Sequence, residues 1–121
     1  SILSMMVYMG AIAGGGQAAS PRIILDTDMG QADLLSADTA RRIQEMMRNN
    51  VISNYGNSNY PGLELHAKSG TAEGAKGERP DAWFCGYSGD YAFIVSVENG
   101  GYGSQVAGPI ANKVLQAIDG E

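Results

Sequence analysis

Apolar and polar positions divide this chain into segments of different period. Residues 2–13 are nearly all apolar, which predicts a buried helix. Gly14-Gly15-Gly16 should end it, because three flexible residues make further helix costly. Arg22 to Leu25 then read as a short strand entered through Pro21. Ser36 is placed to cap a helix running to about Arg48, with Asp38 in its first turn and Ala40, Ile43 and Met47 on one face. Asn49-Asn50, Tyr55-Gly56-Asn57 and Pro61-Gly62 mark residues 49–62 as loop. From Leu63 the period changes to two. Leu63, Leu65 and Ala67 alternate with Glu64, His66 and Lys68, so one side faces a core and the lysine faces the other way.

Gly74 to Pro80 reads as a mobile connector. Trp83 to Tyr87 and Tyr91 to Val97 are rich in aromatic and β-branched residues, and Ser88-Gly89-Asp90 between them is a hairpin signal. The last segment, Ser104 to Ile118, places Val106, Ile110, Val114 and Ile118 four apart, which predicts one apolar stripe against the sheet. Pro109 is either its first helical residue or lies a turn inside and removes one backbone hydrogen bond. This order implies an α+β fold with helices packed on an antiparallel sheet. No internal repeat is visible.

With 121 residues the chain holds one domain or a piece of one. Its composition is 44% hydrophobic and 17% charged, ordinary for a globular chain. The net charge of −5, with eight scattered basic residues, argues against nucleic acid as a partner. A single cysteine, Cys85, excludes an intrachain disulfide, and no paired Cys/His spacing suggests a metal. The apolar run at the amino end is shorter than the roughly 20 residues of a membrane-crossing helix. Ala11-Ile12-Ala13 imitates a signal cleavage site, but no basic segment precedes it.

The candidate chemistry lies at Lys68-Ser69-Gly70-Thr71, at the end of a predicted strand. Around it stand Ala67 to Glu73, then Ala82-Trp83-Phe84-Cys85-Gly86-Tyr87, then Val97 to Ser104, then Ala107 to Ala111. That series, in that order, resembles the end of a penicillin-binding protein transpeptidase domain, in which K-T-G is a known mark. Met5 to Pro21 resembles the family helix and Gly-rich turn that follow the middle catalytic motif. The resemblance therefore covers essentially all of residues 1–121 and implies an incomplete β-lactamase/transpeptidase-like fold.

The resemblance further implies a serine acyl-transferase site. Lys68 would bring positive charge near the nucleophile. Ser69 and Thr71, of equal strand parity, would together receive a substrate carboxylate, and Gly70 would leave room for close backbone approach. The Thr71 N–H would be one of two oxyanion donors, and Trp83 would support the cleft floor. The family's Ser-x-x-Lys and Ser-x-Asn do not occur here. Tyr55-Gly56-Asn57 imitates a Tyr-x-Asn variant but follows the helix it should precede, and reads as coincidence.

The expectation is thus a carboxy-terminal portion of the domain, without its nucleophile and inactive alone. The complete domain would cross-link peptidoglycan stem peptides and be acylated by β-lactams. It would lie on the outer face of a bacterial cell membrane, although this chain shows no anchor, and no cofactor is implied. Alternatives are a β-lactam sensor or hydrolase of the same fold, or a noncatalytic binding module. Apolar surface left for the missing amino-terminal part predicts tight association or a swapped dimer.

Other residues have simpler readings. His66 is a polar strand position that shares the lysine's side, and Cys85 is a small buried hydrophobe. Glu73 and Glu98 are solvated strand-end carboxylates. Met5, Met6, Met9, Met46 and Met47 are helix packing. Gly101-Tyr102-Gly103 imitates a dinucleotide-binding turn, but Val106 stands where the third glycine belongs and no strand follows.

Overall fold

A computed structural model describes residues 2–19 and 30–119. The short strand expected at 22–25 lies outside the described residues. Helix α1 spans Ile2–Ala13, and its end is set by Gly16, whose φ of 110° only glycine adopts easily. Gly16 also accepts the N–H groups of Leu34 and Leu35, and a side chain there would overlap the Leu35 carbonyl. Two short strands that the sequence reading missed, β1 (Gln17–Ala19) and β2 (Gln31–Asp33), pair antiparallel beside this turn. They bring the start of α2 (Ala37–Asn50) to the end of α1. Ser36 caps α2 as expected, its Oγ accepting the Thr39 N–H at 3.1 Å.

Residues 49–62 are not a plain loop. Helix α2 continues to Asn50, a wider turn of helix follows at Val51–Tyr55, and a tight turn at Asn57–Asn59. Tertiary contacts override the turn propensity of Asn49-Asn50: Val51 is fully buried, and the Asn50 side chain reaches the Ala67 carbonyl. The chain then enters β3 (His66–Ala72), β4 (Asp81–Ser88) and β5 (Tyr91–Val97), an antiparallel sheet in that spatial order. Gly89-Asp90 makes the β4–β5 hairpin, and Gly89 takes a positive φ of 56°.

Helices cover both faces of this sheet. On one face, Leu65, Ala67, Ala82 and Phe84 pack with Val51, Tyr60 and α3 (Gly103–Asp119). Phe84 is fully buried and meets the rings of Tyr55, Tyr60 and Phe93 at 5.3, 6.1 and 5.8 Å. On the other face, Tyr87 packs with Met9 of α1 and Met47 of α2, and Cys85 joins the rim of this second cluster. The Gln44 side chain also ties α2 to the Ile12 carbonyl at 2.7 Å.

Three packing expectations need correction. Helix α1 is apolar all round but buries only Met9 and Ala11, and Leu3 and Tyr8 are 60% and 57% exposed. Met5 and Met46 are likewise on the surface, so not every methionine serves the core. On α3 the stripe is shifted: Ala107, Ala111 and Leu115 are buried, while Ile110 and Val114 are exposed.

The reason lies at the helix start. A Cβ on Gly103 would fall 2.5 Å from the Trp83 carbonyl oxygen and closer still to that of Gly70. The helix therefore begins in backbone contact with the sheet, and only small residues fit beneath its next turns. Pro109 sits inside α3, six residues after its start, which settles its alternative placements.

Gly103→Ala should therefore push α3 off the sheet, since both obstructing atoms are backbone. We expect a loss of about 1–3 kcal/mol, the usual cost of overpacking, measurable by denaturant titration of the chain. An unchanged midpoint would contradict the packing described.

Candidate functional site

The alternation along β3 decides what each residue of Lys68–Thr71 can do. Ser69 and Thr71 continue the row of Leu65 and Ala67, so their hydroxyls emerge on the α3 face just past the end of the core. Lys68 and Gly70 point to the other face. Gly70 lies opposite Trp83, and Lys68 opposite Cys85, across β4. Trp83 is half-buried and shares the Lys68 face, so these two flank Gly70.

Only one side of β3 is paired in the sheet, because β4 is its neighbour and the other side is an edge among the described residues. The backbone direction at that edge follows from Ser69, whose N–H donates to the Tyr55 Oη at 2.8 Å instead of to β4. Alternate residues of a strand point their backbone groups the same way, so the Thr71 N–H and carbonyl also face outward. Lys68 Nζ folds back to the Ser69 carbonyl at 2.5 Å, which places the ammonium along the same edge.

Each hydroxyl already accepts one hydrogen bond from the chain. Tyr55 Oη donates to Ser69 Oγ at 3.0 Å, and the Gly103 N–H donates to Thr71 Oγ1 at 3.3 Å. A hydroxyl carries one hydrogen and two lone pairs. With an acceptor site used, the hydrogens of Ser69 and Thr71 remain to be donated, and an anion is the partner they suit. The Lys68 ammonium adds charge of the same sense.

Gly103 is held in place by the turn before it. The Gly101 N–H donates to the Pro80 carbonyl at 2.9 Å, and the Asn99 N–H donates to Asp81 Oδ1 at 2.8 Å. Asn99 and Gly101 both have positive φ, 52° and 103°, the conformation that Asn and Gly tolerate best. The Gly101-Tyr102-Gly103 segment thus serves close packing between a turn and a helix.

Sequence reasoning brought Lys68, Ser69, Gly70, Thr71 and Trp83 to one place, and the structure holds them together on neighbouring strands. It missed Tyr55. By its position the Tyr-Gly-Asn triplet reads as coincidence, yet Tyr55 is bonded to both the main chain and the side chain of Ser69. No local signal marks this, because the partners are 14 residues apart and joined by an irregular turn.

Cys85 is half-buried, and burial pushes its thiol up while nearby Lys68 pulls it down. Its Sγ lies 3.6 Å from the Lys68 carbonyl. Glu73 and Glu98 are exposed. His66 stacks on Tyr87 with ring centroids 4.4 Å apart, away from the hydroxyl face. A groove of about 540 Å³ opens behind Tyr55, between the 54–60 turn and α3, lined by Asn59, Gln105 and Asn112 among others. It shares Tyr55 with the tetrapeptide but includes none of Lys68–Thr71.

Burial also lowers the His66 pKa below its ordinary 6.5, against a smaller upward pull from the Glu64 carbonyl and charge, and Arg48 adds to the lowering. The unfolded chain then binds a proton below pH 6.5 that the folded chain resists. Stability is complete above that value and falls as acid is added through the folded pKa. Thermal midpoints followed from about pH 8 to about pH 5 should drop more steeply in the natural chain than in His66→Gln. Equal slopes would contradict the assignment.

Comparison with known proteins gives a consistent picture. A family model, the penicillin binding protein transpeptidase domain, matches residues 1–116. No curated protein matches the chain directly. Among solved structures, the chain is similar to penicillin-binding protein A from M. tuberculosis in its imipenem acyl-enzyme complex, at 25% identity and a TM-score of 0.84, over 97% of this chain and 30% of that one.

It has the same fold as the D,D-transpeptidase domain of a peptidoglycan glycosyltransferase from Eggerthella lenta, at 22% identity and a TM-score of 0.82, over 96% and 31% of the two chains. The penicillin-binding protein PBP2 solved with MreC from Helicobacter pylori matches at 22% identity and a TM-score of 0.81, over 98% and 24%. The chain thus spans between 24% and 31% of the length of these three structures.

Proposed function

This chain belongs to the penicillin-binding protein transpeptidase domain family, and on that premise we propose that it forms one wall of a D,D-transpeptidase cleft whose serine nucleophile is supplied by the rest of the same domain. One observation carries the reading: the Thr71 amide faces outward at a strand edge that is open among the described residues, beside two hydroxyls that each accept a hydrogen bond and keep a hydrogen to donate.

An acyl-transfer site must hold an extended peptide, fix its terminal carboxylate and stabilise the oxyanion formed on attack. The β3 edge supplies backbone pairing for the peptide. Ser69 and Thr71 receive the carboxylate. The Thr71 N–H donates to the carbonyl oxygen as it becomes an oxyanion, and Lys68 lowers the cost of that negative charge. Gly70 and Trp83 keep the inner side of the wall flat. When the serine oxygen bonds to the carbonyl carbon, the C–N bond to the terminal residue breaks and the departing amine takes up a proton. An amine of a second stem peptide then displaces the serine and restores its hydroxyl.

The exposed apolar residues of α1, with Met46 and Ile52 after it in the chain, fit the same reading. They would be covered by the remaining part of the domain, or by a second copy when the chain is isolated. The site of action would be the outer side of a bacterial cell membrane. Among the described residues no helix is long and apolar enough to cross a membrane.

The complete domain containing this chain should take up one equivalent of labelled penicillin in a denaturation-resistant bond. Lys68→Ala should slow that acylation by about 10²–10⁴-fold, the usual range for a group acting on proton transfer and charge at a reacting centre. A complete domain that is never acylated would overturn the proposal. The isolated 121-residue chain should form no adduct, and a stoichiometric one would place the nucleophile within it.

A further inference from the structure

The groove behind Tyr55 includes none of Lys68–Thr71, and Tyr60 is its most buried lining residue, at 4% exposed. The Tyr60 ring stacks near fully buried Phe84, but its hydroxyl makes no hydrogen bond among the described residues. Proteins rarely keep a buried hydroxyl without a partner, because its desolvation is then uncompensated. No fully enclosed side-chain oxygen or nitrogen of the described residues lacks a partner, so Tyr60 Oη opens onto the groove that the residue lines. Burial pushes its pKa up and Tyr55 adds to the rise, which keeps it a neutral O–H donor at pH 7.

Helix α3 is shaped around this atom. Ser104, Gly108 and Asn112 are four apart and share one face, and Ser104 and Asn112 both line the groove. Between them Gly108 has no side chain, and a Cβ there would fall 2.5 Å from Tyr60 Oη. Pro109 comes next and has no N–H for the carbonyl of Gln105, four residues earlier; these two residues also line the groove. A glycine and a proline side by side inside a helix weaken it twice. Here they leave room for one hydroxyl and deprive one backbone carbonyl of its usual donor, on the same wall.

The chain itself orients the neighbouring amides. Gln116 Nε2 donates to the Pro61 carbonyl at 2.7 Å and to Asn112 Oδ1 at 3.1 Å, which leaves the Asn112 amide nitrogen to donate. Asn59 Nδ2 donates to the Tyr55 carbonyl at 2.9 Å, which leaves its Oδ1 to accept. Lys113 is the one ionised side chain among the described lining residues. With no carboxylate there, nothing balances a cationic ligand, and a single exposed ammonium is weak provision for an anion. Uncharged donors and acceptors side by side suit a molecule rich in hydroxyls, because each hydroxyl both donates and accepts. At about 540 Å³ the groove has the size of a small-molecule site, and Tyr55 adds an aromatic side chain to its polar lining.

We propose that this groove is a binding site for a short neutral oligosaccharide, held by Tyr60 Oη, Asn59, Asn112 and Gln105. The proposal does not depend on the transpeptidase reading, and its test needs no acylation.

The complete domain is titrated by calorimetry with two trisaccharides, maltotriose and triacetylchitotriose. Saturable binding of at least one is expected, with a Kd of about 1 mM or below. Tyr60→Phe keeps the ring beside Phe84 and removes only the oxygen. It should weaken that binding by about three- to tenfold, the worth of one hydrogen bond, with the thermal midpoint unchanged. A lower midpoint with unchanged affinity would show that the hydroxyl serves the fold instead, and would overturn the proposal. Asn112→Ala should weaken binding by a similar factor, which keeps the test decisive if the Tyr60 variant folds poorly. Lys113→Gln should leave affinity within about twofold, whereas a loss beyond about tenfold would mean that charge is recognised and would overturn the neutral class. A folded domain that binds neither trisaccharide at about 10 mM rejects the site outright.

Discussion

A strand at the rim of a sheet offers water a row of unpaired N–H and C=O groups, which is a hazard in most proteins and a binding surface in some. Here that row on β3 is the constraint from which the rest of the site follows. Its inner side is paired to β4 over seven residues, from His66 to Ala72. Its outer side is satisfied by Arg48, Asn50 and Tyr55 up to Ser69. The strand is therefore held straight by its own chain until it reaches Thr71, where a backbone amide can meet another molecule without the strand having to be ordered first. Under the function proposed above, in which the Thr71 amide is an oxyanion donor, this prior order means that no reorganisation is needed at the moment of reaction.

Helix α3, on the hydroxyl face of the sheet, contributes to the same end. Because Gly103 has no side chain, α3 starts against the Gly70 and Trp83 carbonyls, and its first amide reaches the Thr71 hydroxyl. Small residues at 107 and 111 keep that contact close. The turn before it is fixed by Asp81 and Pro80, which lie at the start of β4. Thus the hydroxyl face of the tetrapeptide is positioned by three parts of the chain, and the core centred on Phe84 ties them to one another. Burial of that ring stabilises the site as much as the fold, because Tyr55 touches both Phe84 and Ser69.

Much of this was legible in order along the chain. The alternation of Leu63, Leu65 and Ala67 located β3 and the side of Lys68, since a period of two leaves little choice once one face must be dry. Ser36 located the start of α2, because a capping hydroxyl acts on groups three residues away. Gly89-Asp90 located the hairpin for the same local reason. The family resemblance, carried by residues 67–73, 82–87 and 97–111, pointed to a transpeptidase domain, and the family model and solved structures agree with it.

What sequence alone determined is whatever depends on neighbours within a few positions: the helix cap, the strand alternation, the hairpin and the tetrapeptide at the end of a strand. Tertiary structure decided the features that depend on distance between elements. The buried stripe of α3 runs through Ala107, Ala111 and Leu115 and leaves Ile110 and Val114 exposed, because the approach at Gly103 brings the first turns of the helix too close to the sheet for large side chains beneath them. The segment at 49–55 stays helical because Val51 and Asn50 find partners across the fold. Tyr55 enters the site because a turn of helix carries its hydroxyl to a strand 14 residues onward. None of these appears in a local pattern, since each is set by how closely two backbones approach and by which polar groups are left to be satisfied once they do.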